Sequence, residues 1–387
     1  MPRWFYRIVT HMLLVVGSVG VALVACEMWL RIFWCGGHAA HYEEQSGPFL
    51  SSNPYWGSWH FPDNDVEHRK GCFDVHYRTN EVGLKGDPIR DGVPTIALLG
   101  DSFVEGWGNN NDTTVHHVME GLLGHTYQVL NFGVSGGGST LAELALYDNF
   151  AKFFRSQVTV LFFTNYNDLD DNLVASEGNF IDRELHFTYR QTQSFEEVRA
   201  IVTAARAQLP TEEQRNQWCL YRFLRYAQKV VGYGLQLRLN VLWEFPSHVL
   251  RPYRVEEDAE TQRAWQIVTA SLRRLKEVTD HEGTALVVVD VADPYQLDEN
   301  WLRVAAVKTG ERLDPTHPNK RLGRICQQLG IHYYDMYPDA VAYIKEHQLR
   351  FPYLSFSCDR HYSPLGQALM ANLVVKYLAT KALTRRD

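Results

Sequence analysis

Residues 96–102 read Ile96-Ala97-Leu98-Leu99-Gly100-Asp101-Ser102, four apolar residues that stop at a glycine, an acid and a hydroxyl. A short apolar run bounded in this way predicts a strand buried on both faces, as strands in parallel sheets are. Gly100 gives a sharp exit. Ser102 then stands at the carboxyl end of the strand, where open α/β sheets collect their ligands. A hydroxyl in that place becomes a nucleophile if a base reaches it, although a lone serine after a strand is more often a helix cap.

Outward from this run, strands and helices alternate. Further strands are expected over 128–132, 158–164, 285–289 and 331–336, all rich in apolar or β-branched residues. Helices are expected from 112 through 115–123, over 140–154, over 256–281, over 318–329 and over 364–383, each with apolar residues at helical spacing. The 256–281 helix opens on acids and ends on bases, as its dipole favours. This rhythm predicts an α/β fold, a parallel sheet with helices on both faces. Residues 172–255 interrupt it with a polar stretch and then an aromatic, basic segment over 218–243, read as a helical insertion that serves as a lid or partner surface. Residues 36–95, rich in Gly, Pro, His and aromatics, read as an irregular lead-in with short strands, among them 75–80 running into a turn at 81–83. The expected organisation is a membrane anchor over 1–35, the lead-in over 36–95, and the main domain over 96–387.

The chain has 387 residues, 45% of them hydrophobic, which is enough for a large core and excludes global disorder. A formal net charge of −7 with no Lys/Arg-rich run argues against nucleic acid as a partner. Arg3 and Arg7 precede an apolar stretch over 8–26 that ends at Glu27, close to the roughly 20 residues that span a bilayer. The basic flank places the N-terminus in the cytoplasm and the body outside, on the periplasmic or extracellular side. An uncleaved anchor is the favoured reading, because Met28, Trp29, Leu30, Ile32, Phe33 and Trp34 continue an interface-friendly pattern. A cleaved signal peptide and a lipoprotein (Leu23-Val24-Ala25-Cys26 resembles a lipobox) are the alternatives. Six cysteines show no metal-like spacing. Four of them, Cys72, Cys219, Cys326 and Cys358, lie in the body, where three pairings compete with plain buried thiols.

Four segments sit where chemistry collects. They are Gly100-Asp101-Ser102, the glycine-rich stretch from Asn131 to Gly138, Asn165-Tyr166-Asn167-Asp168, and Asp359-Arg360-His361 ahead of Pro364. In a parallel sheet the first three converge on one edge, and the fourth joins them if its helix packs beside the first strand. Together they supply an acyl-transfer site. Ser102 attacks a carbonyl, His361 takes and later returns its proton, and Asp359 orients His361 and stabilises its imidazolium form. The oxyanion needs preorganised donors, which the backbone N–H groups of Ser102 and Gly136 and the amide of Asn167 would provide. A Walker-type phosphate cradle is disfavoured, since no Gly-Lys-Ser/Thr follows the glycines. No metal site is discernible and no cofactor is expected.

These four blocks, in order and at element boundaries, resemble those of the SGNH (GDSL-type) hydrolases over roughly 80–383. The resemblance implies a flavodoxin-like three-layer sheet, with Ser102 as nucleophile, Gly136 and Asn167 as oxyanion donors, and Asp359 and His361 completing the triad. Two features depart from the usual pattern. One residue, not two, separates Asp359 from His361, and Asn165 replaces the glycine of the usual Gly-x-Asn-Asp block. Membrane-anchored members with an Asp-x-His-x-x-Pro-x-Gly ending look closer, as do Glu27-x-x-Leu30-Arg31 and the Asn80-x-x-Gly83 turn. Topology and resemblance together imply a membrane-anchored serine ester hydrolase or O-acyltransferase acting on O-acetyl groups of cell-envelope or exported polysaccharide. The alternatives are an inactive SGNH-fold partner of a membrane protein complex and a lipid-ester hydrolase at the bilayer surface.

Overall fold

A computed structural model of the chain describes residues 3–30, 32, 44–45, 49–177, 180–209, 220, 223, 245 and 247–384. It divides into two compact units, one of residues 1–43 with 210–244, the other of 44–209 with 245–387.

In the first unit a single helix, Arg3–Leu30, carries a segment, Thr10–Leu30, that is long and apolar enough to cross a membrane. The helix passes through Cys26 and Glu27 without a break, and Glu27 accepts a hydrogen bond from the backbone N–H of Leu220. Most of the aromatic, basic segment over 218–243, together with Cys35 and Cys219, lies outside the described residues.

The second unit begins with two small antiparallel sheets. One pairs β1 (Glu44–Gln45), β4 (Asp65–Lys70) and β5 (Phe73–Arg78), and the other pairs β2 (Leu50–Asn53) with β3 (Gly57–His60). The lead-in is thus more regular than its composition predicts, and from Glu44 onward it belongs to the same compact unit as the main sheet.

That sheet is the expected one. Its strands are β6 (Thr95–Gly100), β7 (Gln128–Gly133), β8 (Val158–Phe163), β9 (Ala285–Asp290) and β10 (His332–Asp335), in the order β7-β6-β8-β9-β10 with every pairing parallel. This is the flavodoxin-like order, with helices on both faces. Alternation along β6 divides its side chains between the two faces. Ala97 and Leu99 pack with the helices Thr140–Asn149, Ala259–His281 and His317–Leu329, while Ile96 and Leu98 pack with Val115–Leu122, Tyr337–Glu346 and Pro364–Thr380. The strand is apolar throughout because both faces are covered.

The interruption after β8 begins later than its composition indicates, since the helix Asn165–Glu177 runs through residue 172. Its first described helix, Phe195–Ala205, starts at a Ser194 cap and buries Val198 and Val202 in the main core. That part of the insertion is therefore core, not periphery.

Candidate active site

The chain leaves β6 at the point where the sheet order reverses, with β7 on one side and β8 on the other. A crevice opens at such a switch point, outside the carboxyl ends of the strands. Asp101 caps the short helix Ser102–Glu105, its carboxylate accepting from the Phe103 N–H at 2.9 Å, and this sets Ser102 on the first helical residue. The glycines of the second block let this turn seat closely. A Cβ on Gly133 would lie 2.2 Å from the Glu105 nitrogen, and Gly136 has a φ of +74°, which favours glycine.

Ser102, His361 and Asp359 form one hydrogen-bonded chain. The Ser102 hydroxyl donates to His361 Nε2 at 2.7 Å, and His361 Nδ1–H donates to Asp359 Oδ1 at 2.5 Å. The short Asp-x-His spacing works through an Asx turn: the same Oδ1 accepts the backbone N–H of His361 at 2.9 Å, which curls the loop until the imidazole faces its own acid. The ring packs between Phe103 and Trp107, with centroids 5.3 and 5.7 Å away. The loop is fixed by the Tyr362 hydroxyl donating to the Ala292 carbonyl and by Asn109 Nδ2 donating to the Tyr362 carbonyl.

Burial alone would raise the Asp359 carboxyl. The hydrogen bond and charge of His361 and a hydrogen bond from Lys70 outweigh it and hold the group well below the usual carboxylate range. Lys70 Nζ lies 2.5 Å from Asp359 Oδ2. It reaches Asp359 from the tip of the β4–β5 hairpin, which the Cys72–Cys358 disulfide ties to the same loop. Cys326 is a buried free thiol.

A cavity of about 460 Å³ opens at Ser102 and His361, with Ser135 and Gly136 on one side and Gln45, Phe49, Leu50 and Trp107 forming a largely apolar wall. Ser135 and Gly136 are held from below by a buried acid, since Glu105 Oε2 accepts the Ser135 N–H. Burial would raise Glu105, but a hydrogen bond and charge from His60, and the charge of Lys85, keep it low. Lys85 is itself pushed down to about 7 by burial, and its ammonium donates to the carbonyls of Gly106 and Asn109 at 3.0 Å each, tying off the turn after the nucleophile.

Asn167 lies in the first turn of the helix Asn165–Glu177, and its Nδ2 donates to Asp101 Oδ2 at 3.0 Å. It is not among the residues that line the cavity; one of its two amide hydrogens is held by Asp101, and the amide carries a second. Asn165, in place of the usual glycine, is buried and donates to Asp290 Oδ1 at 2.6 Å, so this departure serves the sheet.

Sequence reasoning assigned no role to Lys70, Glu105, Phe49, Leu50 or Trp107, and none to the Asp101 carboxylate. The available signal was cysteine placement. Cys72 follows Lys70 by two residues and Cys358 directly precedes Asp359, so this pairing, once chosen, carries Lys70 to the triad.

No protein-family model matches the chain, and no curated protein does. The chain resembles solved structures that include esterases and proteins described as GDSL-like or SGNH-family. One is a catalytic mutant of Axe2, an acetylxylan esterase from Geobacillus stearothermophilus, at 12% identity and TM-score 0.38, covering 77% of this chain and 99% of that one. Another is a GDSL-like lipase from Bacteroides thetaiotaomicron, at 11% identity and TM-score 0.36, covering 76% and 93%. A third is AlinE4, an SGNH-hydrolase family esterase, at 12% identity and TM-score 0.31, covering 77% and 100%.

Proposed function

We propose that the chain is a serine ester hydrolase working through an acyl-Ser102 intermediate. The observation that carries this reading is the continuous Ser102–His361–Asp359 chain opening on a cavity beside Ser135 and Gly136. Ser102 Oγ attacks the ester carbonyl as His361 Nε2 takes its proton, and Asp359 stabilises the imidazolium that results. The N–H groups of Ser102 and Gly136 and the second amide hydrogen of Asn167 serve the oxyanion. His361 returns the proton to the leaving alkoxide. It then activates the acceptor that releases the acyl group, water in hydrolysis or a sugar hydroxyl in transfer.

The substrate class we infer is O-acyl, chiefly O-acetyl, carbohydrate of the cell envelope or exported polysaccharide. The apolar wall of Phe49, Leu50 and Trp107 suits a small acyl group and the flat face of a sugar ring. The apolar segment Thr10–Leu30 with Arg3 and Arg7 before it supports an anchor with the body outside, and the Cys72–Cys358 disulfide supports an oxidising compartment.

The test uses the full chain in detergent with an acetylated polysaccharide and a small acetyl ester. Ser102→Ala is expected to lower kcat by about 10³-fold or more on both. Product analysis with and without a sugar acceptor separates hydrolysis from transfer. Equal turnover by wild type and Ser102→Ala would sink the reading.

A further inference from the structure

Asp359 is shared between two partners, Lys70 and His361, that come from opposite ends of the chain. His361 Nδ1–H and the His361 backbone N–H both use Oδ1, and Lys70 Nζ uses Oδ2. The Asp359 side chain is 8% exposed and that of Lys70 25%, so the contact is partly shielded from solvent. Lys70 is delivered by a hairpin outside the main sheet, and the disulfide two residues further on holds that hairpin to the residue before Asp359. Phe73 on Phe356, with centroids 5.1 Å apart, seals the same junction.

We propose that Lys70 is a positioning residue for the triad: it holds the second oxygen of Asp359 and shares that carboxylate's charge with His361, so that the lead-in hairpin sets how strongly the base binds its proton. The inference rests on the ester-hydrolase reading for its meaning but not for its test. Asp359 stays on His361 without Lys70, because the Asx turn and the neighbouring disulfide fix it independently. Removing the Lys70 charge then leaves the whole carboxylate to the imidazolium, which strengthens that pair. Among the described residues, the other charged or titratable groups around the pair are Asp101 from the end of β6, Tyr166 from the helix after β8, and Arg360 of the same loop. Arg360 is turned away, with its guanidinium 4.0 Å from the Tyr295 ring centroid.

The experiment compares wild type, Lys70→Met and Lys70→Arg as full chains in detergent micelles. His361 ring protons are followed by NMR and assigned with His361→Gln, and kcat/KM is measured across pH. In Lys70→Met the His361 titration and the acid limb of kcat/KM both move to higher pH by roughly half a unit or more, and Lys70→Arg restores wild-type behaviour. An unmoved or lowered His361 titration in Lys70→Met overturns the proposal, as does a fall in kcat with an unmoved acid limb. Absence of Ser102-dependent turnover, with the His361 titration still shifted, overturns the hydrolase reading and leaves the Lys70 assignment standing.

Discussion

Asp101 stands between the strand's last glycine and the nucleophile, and its carboxylate joins two parts of the site. One oxygen caps the helix that carries Ser102, and the other orients the Asn167 amide. If the remaining amide hydrogen serves the oxyanion, Asn167→Ala lowers kcat by about 10²-fold with KM nearly unchanged. Asp101→Asn keeps a capping oxygen and loses only the grip on Asn167, so it costs less. Combined with Asn167→Ala it adds little, because both changes act through one amide. Steady-state kinetics on the two single variants and the double variant decide this, and additive losses would assign Asp101 a separate route. The meeting of Ser102, Asp359 and His361 was legible because Ser102 follows a strand end and the other two lie in the loop just ahead of the helix Pro364–Thr380. The Lys70 contact was not, since 289 residues separate it from Asp359 and no local pattern encodes a contact of that kind.

The β4–β5 hairpin shows why the lead-in resisted reading. β5 alternates buried and exposed positions cleanly, but β4 reads Asp-Val-Glu-His-Arg-Lys, which no hydrophobic period marks as a strand. Its pairing is written across the hairpin instead. Asp65 lies opposite Arg78 and Arg69 opposite Asp74, each pair bonded at 3.0–3.1 Å. The Phe195–Ala205 helix falls in the segment read as a helical insertion, but Val198 and Val202, with Phe195 and Ile201 packed beside them, put its apolar face in the core and not in a lid. The hairpin is docked by one covalent bond, and the Cys72→Ser/Cys358→Ser variant is therefore expected to lose on the order of 2–4 kcal/mol of stability. It also loses activity below its unfolding temperature, as the Lys70 tip loosens from Asp359. Thermal melts and kcat with and without reductant test this: wild type should fall to the level of the double variant on reduction, and the double variant should not respond. A wild-type enzyme indifferent to reduction would show that the aromatic packing alone seats the hairpin.

Across the whole molecule, the five-stranded parallel sheet was legible because burial on both faces leaves almost no other composition for its strands, and the switch point then fixed where Ser102 had to lie. What the strand pattern concealed is the charge buried beneath that point. Asp101, Glu143, Asp168 and Asp171 come from the end of β6, the helix Thr140–Asn149 and the helix Asn165–Glu177, and all four are raised by burial; the charge of Asp101 then raises the other three further. Asp171 is pushed up to about 7 by burial and the charges of Asp101 and Asp170. The unfolded chain releases the Asp171 proton near pH 4, the folded chain only near 7, so in that window the unfolded state binds fewer protons and stability falls as pH rises. Asp359 and Glu105 act in the opposite sense at lower pH: both are held low, and their contribution is lost as pH falls below the ordinary carboxylate range. Maximum stability is thus expected near pH 5, with a loss on the order of 2 kcal/mol by pH 7 from Asp171 alone. Asp171→Asn mimics the protonated acid and should flatten that decline, which denaturant unfolding at pH 5, 6 and 7 would measure. A wild-type protein whose stability is level or rising over that range would mean that the four carboxyls are ionised in the folded state, and that unfolding relieves no proton held among them.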